Sequence, residues 1–119
     1  MPLSIKQVPT GSALPTLEML LDASPSSERL ALLDVTSWAV FVALYRYIQR
    51  SWSSPSQKTI AAVAHIADVS TVRRAVRRLE SAGLIEVVTE SLADGTTRNS
   101  YHLGHEALRE LADIARRSR

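Results

Sequence analysis

The chain has 119 residues, enough for one domain around a single modest core. It contains no cysteine, which excludes disulfide frameworks and thiolate metal sites and fits a reducing compartment. Its formal charge of +2 is unevenly spread: residues 36–82 set Arg46, Arg50, Lys58, Arg73, Arg74, Arg77 and Arg78 against Asp68 and Glu80, between mildly acidic flanks, so one face is suited to a polyanion.

In chain order, "MPLSIKQVPTGSALP" holds three prolines and a glycine without a sustained period and predicts an extended arm. "TLEMLLDA" predicts two helical turns from Thr16, with Leu17, Leu20 and Leu21 on one side. "SPSSERLALLD" predicts a break and then a short helix capped by Ser26 or Ser27. "TSWAVFVALYRYIQRSW" is the strongest helical pattern before the arginines, with Thr36 or Ser37 as its cap. Trp38, Phe41, Tyr45 and Ile48 form one stripe, which Val40, Leu44 and Tyr47 widen. A helix apolar over so much of its circumference must be buried by several neighbours. Trp52 follows, as a core-edge residue or a dimer contact.

Pro55 and Ser56 open a helix from about Gln57 to Ile66, with Ile60, Val63, Ala64 and Ala67 as its buried face. Asp68 is the expected cap of the next helix, in which Val69, Val72, Val76 and Leu79 form an amphipathic stripe. Gly83 supplies the left-handed residue past that helix, and Leu84 re-enters the core. The period then changes: "LIEVVTES", an Asp-Gly turn in "LADGTT", and "RNSYHL" predict a β-hairpin. "HEALRELADIARRSR" closes the chain as an amphipathic helix, with Ala107, Leu108, Leu111, Ile114 and Ala115 on one side.

Two short helices with Asp68 at the break, followed by a hairpin, make the plan of a winged helix-turn-helix. The expected class is mainly α with a small β-hairpin. The winged helix-turn-helix occupies residues 34–104, preceded by an arm and short helices over 1–33 and followed by a C-terminal helix over 105–119. The second short helix, residues 69–82, is of a size to enter the major groove of double-stranded DNA. Ser70, Thr71, Arg73 and Arg74, in its first turns, are the candidate base readers. Arg77 and Arg78, further along, are candidates for phosphates, which give affinity and register without sequence information. Ser56, Gln57, Lys58 and Thr59, at the start of the preceding helix, suit a backbone phosphate as well. Thr96, Thr97 and Arg98 near the hairpin tip are the candidate wing contacts.

On these residues the chain resembles a family. "PSQKTIAAVAHIADVSTVRRAVRRLESAGLIEV" together with "RNSYHL" resembles the winged helix-turn-helix domains of plasmid and phage replication initiators and of GntR-type repressors. The resemblance runs from about Leu33 to Leu103. It rests on Pro55–Ser56, Ile60–Ala61, Thr71–Val72–Arg73–Arg74, Leu79, Gly83–Leu84–Ile85, and Asn99, Tyr101 and Leu103. It implies the fold and DNA binding, and leaves transcription, replication initiation and partition open. The stretch from Ile60 to Val72 is one residue longer than the family's usual spacing, which leaves open whether Arg73 or Arg74 faces the bases.

No Gly-rich phosphate loop, no Gly-x-Ser-x-Gly elbow and no acidic cluster able to hold magnesium occurs in the sequence. His65, His102 and His105 lack metal-ligand spacing, so no metal, no cofactor and no enzymatic activity are expected. No uncharged apolar run reaches the length of a membrane span and no signal core follows the N-terminus, so a cytoplasmic, nucleoid- or plasmid-associated protein is expected.

A homodimer is expected, with Leu108, Leu111 and Ile114 suited to a symmetric contact. Leu17, Leu20, Leu21, Leu30, Leu32 and Leu33 offer a rival surface. The functional expectation is a sequence-specific, homodimeric regulator of transcription. Its alternatives are a replication or partition protein binding repeated sites and recruiting a partner through residues 1–35, and a protein–protein module on the same scaffold.

Overall fold

The computed structural model describes residues 15–50 and 54–117. The extended arm expected before Pro15, and Trp52, lie outside the described residues. Helix α1 (Leu17–Ala23) starts at Thr16, whose hydroxyl accepts from the Met19 N–H at 3.2 Å. In place of the short helix expected after it come two single 3₁₀ turns, Ser24–Ser26 and Leu30–Leu32. Arg29, not Ser26 or Ser27, stands at the start of the second turn without a side-chain cap bond, although the Ser27 hydroxyl accepts from the Leu30 N–H. That turn cannot lengthen, because Asp34 already opens the next helix.

Helix α2 (Val35–Gln49) is capped by Asp34, which accepts from the Ser37 N–H at 2.7 Å, and not by Thr36 or Ser37. Val40, Phe41, Ala43, Leu44 and Tyr45 are all buried, and α2 packs against α3 (Gln57–Ala64), α4 (Val69–Ser81) and the hairpin. Phe41 lies 5.9 Å from Tyr45 and 6.1 Å from Trp38, ring centre to ring centre. Burial pushes the Tyr45 hydroxyl well up its titration range, and the group is satisfied by donating to the Pro15 carbonyl at 2.6 Å.

Helix α3 ends two residues sooner than its pattern suggests. His65 is left-handed, at φ 59, and the Ile66 N–H reaches back to the Ala61 carbonyl at 2.9 Å. The end of α4 repeats this geometry with Gly83 at φ 77 and the Leu84 N–H on the Leu79 carbonyl at 3.0 Å. Ala67, expected inside, is therefore exposed on the turn, and Ala61 is buried. In α4 Val72, Ala75, Val76 and Leu79 point inward.

Strands β1 (Ile85–Ser91) and β2 (Thr97–Leu103) pair antiparallel from Ile85–Leu103 to Ser91–Thr97. Gly104 brings the end of β2 onto the turn after α4. Its N–H donates to the Leu84 carbonyl at 2.9 Å, and a Cβ there would lie 2.0 Å from the Gly83 carbonyl oxygen.

Helix α5 (His105–Arg117) packs against α1 and buries Ala107, Leu111 and Ile114. One hydrophobic core thus takes in side chains from α1 through α5, and the divisions at 33/34 and 104/105 separate elements within it. Arg29 fastens its edge: Nε donates to the Ala82 carbonyl at 3.0 Å, Nη1 to Glu110 at 3.2 Å and Nη2 to Glu106 at 2.9 Å. Glu110 also accepts from the Ser27 hydroxyl. Helix–turn–helix, hairpin and packed core make this a mainly α winged helix-turn-helix with further helices at both ends. Among the described residues, no helix is long and apolar enough to cross a membrane.

Candidate nucleic-acid interface

Because the apolar stripe of α4 faces the core, its opposite side carries Arg73, Arg74, Arg77 and Arg78, all exposed. Asp68 begins the helix as its pattern predicts. One carboxylate oxygen accepts from the Ser70 N–H at 3.1 Å; the Ser70 hydroxyl donates to both oxygens at 2.9 Å, and the Thr71 hydroxyl to one at 3.0 Å. Both hydroxyl protons of the expected reading set are therefore committed within the helix cap, leaving lone pairs to face outward.

The four guanidinium groups differ in company. Arg73 Nη1 donates to Gln57 Oε1 at 3.4 Å, and Arg74 Nη2 to Thr71 Oγ1 at 3.3 Å. Arg77 has no ion-pair partner among the described residues. Arg78 is paired with Asp34 at 3.1 Å, so it is shared with the cap of α2 and is less free for phosphate than its place in the pattern implies. That partner lies 44 residues away in the chain, and no local pattern announces it.

Ser56 caps α3, accepting from the Thr59 N–H at 3.1 Å and sharing a hydrogen bond with the Thr59 hydroxyl at 2.9 Å. Lys58 is exposed beside them. A groove of about 370 Å³ separates this helix start from β2, lined by Ser54, Ser56, Gln57, Thr97, Arg98 and Asn99 among others. Two of the expected phosphate residues and two of the wing residues thus border one groove, and Ser54, which also lines it, shares a hydrogen bond with the Ser100 hydroxyl at 3.2 Å. Thr96 is not part of that lining; its N–H and hydroxyl donate to Asp94 and shape the hairpin turn. Arg98 pairs with Glu90 directly across the strands. Asn99, which lines the groove, is absent from the expected contact set. Its side chain accepts from Thr89 across the hairpin.

Leu111 and Ile114, expected in a symmetric contact, are each only 1% exposed, and Leu108 is half-buried against the same core. A dimer through them would require α5 to leave its own domain. By contrast, Leu32 and Val35 are 79% and 85% exposed. Among the described residues, no three His, Asp or Glu side chains come together as a metal-binding group.

The Asp68 carboxyl is held below the usual carboxylate range by the hydroxyls of Ser70 and Thr71, then by the Ser70 N–H, with a smaller contribution from the Arg74 charge. The ionised form is the one that accepts these bonds. Its contribution is complete above the unfolded-state pKa of about 3.9 and is lost as pH falls through the lower folded-state value. Urea denaturation followed from pH 6 to pH 2, roughly the span of an aspartate's titration, should therefore show a weaker acid dependence in Asp68→Asn than in the parent. Identical curves would remove Asp68 from the titration.

No protein-family model and no curated protein matches the chain. Among solved structures it is similar to a protein of Ralstonia eutropha JMP134, provisionally described as DNA-binding, with 29% sequence identity and a TM-score of 0.50 over 69% of this chain and 96% of that one.

Proposed function

We propose that this chain binds double-stranded DNA, with α4 in the major groove and the start of α3 and the hairpin on the flanking backbone. The observation that carries the reading is the outward face of α4, where Arg73, Arg74 and Arg77 stand exposed and outside the ion pairs found among the described residues. Guanidinium groups in the first turns of such a helix suit guanine edges, and those further along suit phosphates. The similar Ralstonia protein, described provisionally as DNA-binding, supports the same reading. It is a reading of a binding protein, not an enzyme, at work in the cytoplasm on chromosomal or plasmid DNA.

Within that role, occupation of an operator by a homodimeric regulator of transcription is the first use we propose, in line with the resemblance to GntR-type repressors. The second use is side-by-side assembly on repeated sites in replication or partition, for which the exposed Leu32 and Val35 offer a contact between copies.

Selection of the purified protein against a random duplex library at near-physiological salt tests both. An inverted repeat with half-sites about one helical turn apart is expected of the regulator. Direct repeats filled in series would favour replication or partition. No enriched motif, with no affinity for any duplex at low salt, would leave a protein–protein module as the use of this scaffold.

A further inference from the structure

Arg73 and Arg74 are adjacent in sequence, and consecutive residues leave a helix about 100° apart. Their guanidinium groups also have different acceptors. Arg74 Nη2 donates to Thr71 Oγ1, and Thr71 Oγ1 donates to Asp68 Oδ2. A carboxylate only accepts, whereas a hydroxyl has one proton and two lone pairs. The Thr71 proton is thereby committed to Asp68, and the lone pairs are what it turns to Arg74. Arg73 Nη1 donates across the turn to Gln57 Oε1, on the first residue of α3. That residue borders the groove between α3 and β2.

We propose that Thr71 and Gln57 are positioning residues that divide the arginine pair: Thr71 presents Arg74 to a base edge, and Gln57 turns Arg73 toward the phosphate beside the start of α3. This rests on the DNA-binding reading above and names the residues that set its specificity. A guanidinium held through one N–H keeps other donors for the N7 and O6 acceptors of a guanine. Holding it before DNA arrives also reduces the side-chain freedom lost on contact. Arg73, drawn to α3, shares its surroundings with exposed Lys58 and the capped helix start, a place suited to the DNA backbone.

The test compares the wild type with Thr71→Val, Thr71→Ser, Gln57→Ala, Arg73→Ala and the Gln57→Ala/Arg73→Ala double variant. Fluorescence anisotropy is read on the duplex motif the wild type selects, on its single-base variants and on random duplex. Circular dichroism melts accompany each protein. Thr71→Val is expected to lose preference at one base position, with cognate affinity down roughly tenfold and random-duplex affinity retained. Thr71→Ser, which keeps the hydroxyl, is expected to keep the preference. Gln57→Ala is expected to weaken both duplexes alike and to add nothing to Arg73→Ala. Wild-type base preference in a folded Thr71→Val, or losses from Gln57→Ala and Arg73→Ala that simply sum, would overturn the assignment. A wild type that binds no duplex at low salt would overturn the DNA-binding reading itself.

Discussion

Gly104→Ala is expected to be among the most damaging single substitutions in the chain. The added methyl would meet the Gly83 carbonyl oxygen at 2.0 Å and its carbon at 2.8 Å, and neither is the far end of a flexible side chain. Relief requires β2 to move off the turn after α4, which breaks the bond from the Gly104 N–H to the Leu84 carbonyl. Leu84, fully buried beside that bond, would shift with it. Overpacking of this kind costs about 3 kcal/mol, a large share of the roughly 5–15 kcal/mol that holds a domain together. A thermal melt followed by circular dichroism should fall by roughly 10 °C. A melt unchanged from the parent would mean that the two backbones are not in contact.

Arg74→Ala should give the largest change in DNA discrimination. Losing a two-bonded arginine–guanine contact costs about 1–3 kcal/mol, so binding to the selected motif should weaken by roughly tenfold to a hundredfold. Affinity for random duplex should fall far less. Arg77→Ala is the contrast: without a base to read, it should weaken both duplexes alike and lower the dependence of log K on log salt by about one unit. Salt titrations of the three proteins on both duplexes distinguish the roles. Equal losses on both duplexes for Arg74→Ala would make it a phosphate contact.

How far the sequence carries depends on whether the deciding chemistry is local. Helix α4 is legible almost residue by residue, because Asp68, the Val72–Val76–Leu79 stripe and Gly83 act through neighbours a few positions away. The hairpin is legible for the same reason, its strands meeting around Asp94 and Gly95. The start of α2 is harder: Asp34, Thr36 and Ser37 are all good caps, and it is Asp34 that accepts from the Ser37 N–H. His65 gives no warning, since nothing in its neighbourhood marks it as left-handed as a glycine would. Helix α5 shows the limit of periodicity. Its apolar stripe looks the same whether it meets its own domain or a second copy, and only the packing assigns Leu111 and Ile114 to the core. In the candidate site, exposure of the arginines follows from the stripe beneath them. Their partners Gln57 and Asp34 belong to other elements, so no local pattern shows them.

The Arg29 clamp has a consequence for the order in which the chain can finish folding. Arg29 precedes its partners Ala82, Glu106 and Glu110 by 53, 77 and 81 residues respectively. A polypeptide emerging N-terminus first presents this guanidinium before any of its three partners has been made. The carbonyl at the end of α4 and the carboxylates of α5 are then gathered by one side chain in a late closure across the chain. Such distant contacts are slow to form, because the loop must be closed before the contact compensates for it. A nascent chain released before Glu110 has the arginine helix complete in sequence but lacks one of the anchors at its far end. Purified chains truncated before and after that residue would differ in protease resistance at the α4–β1 turn.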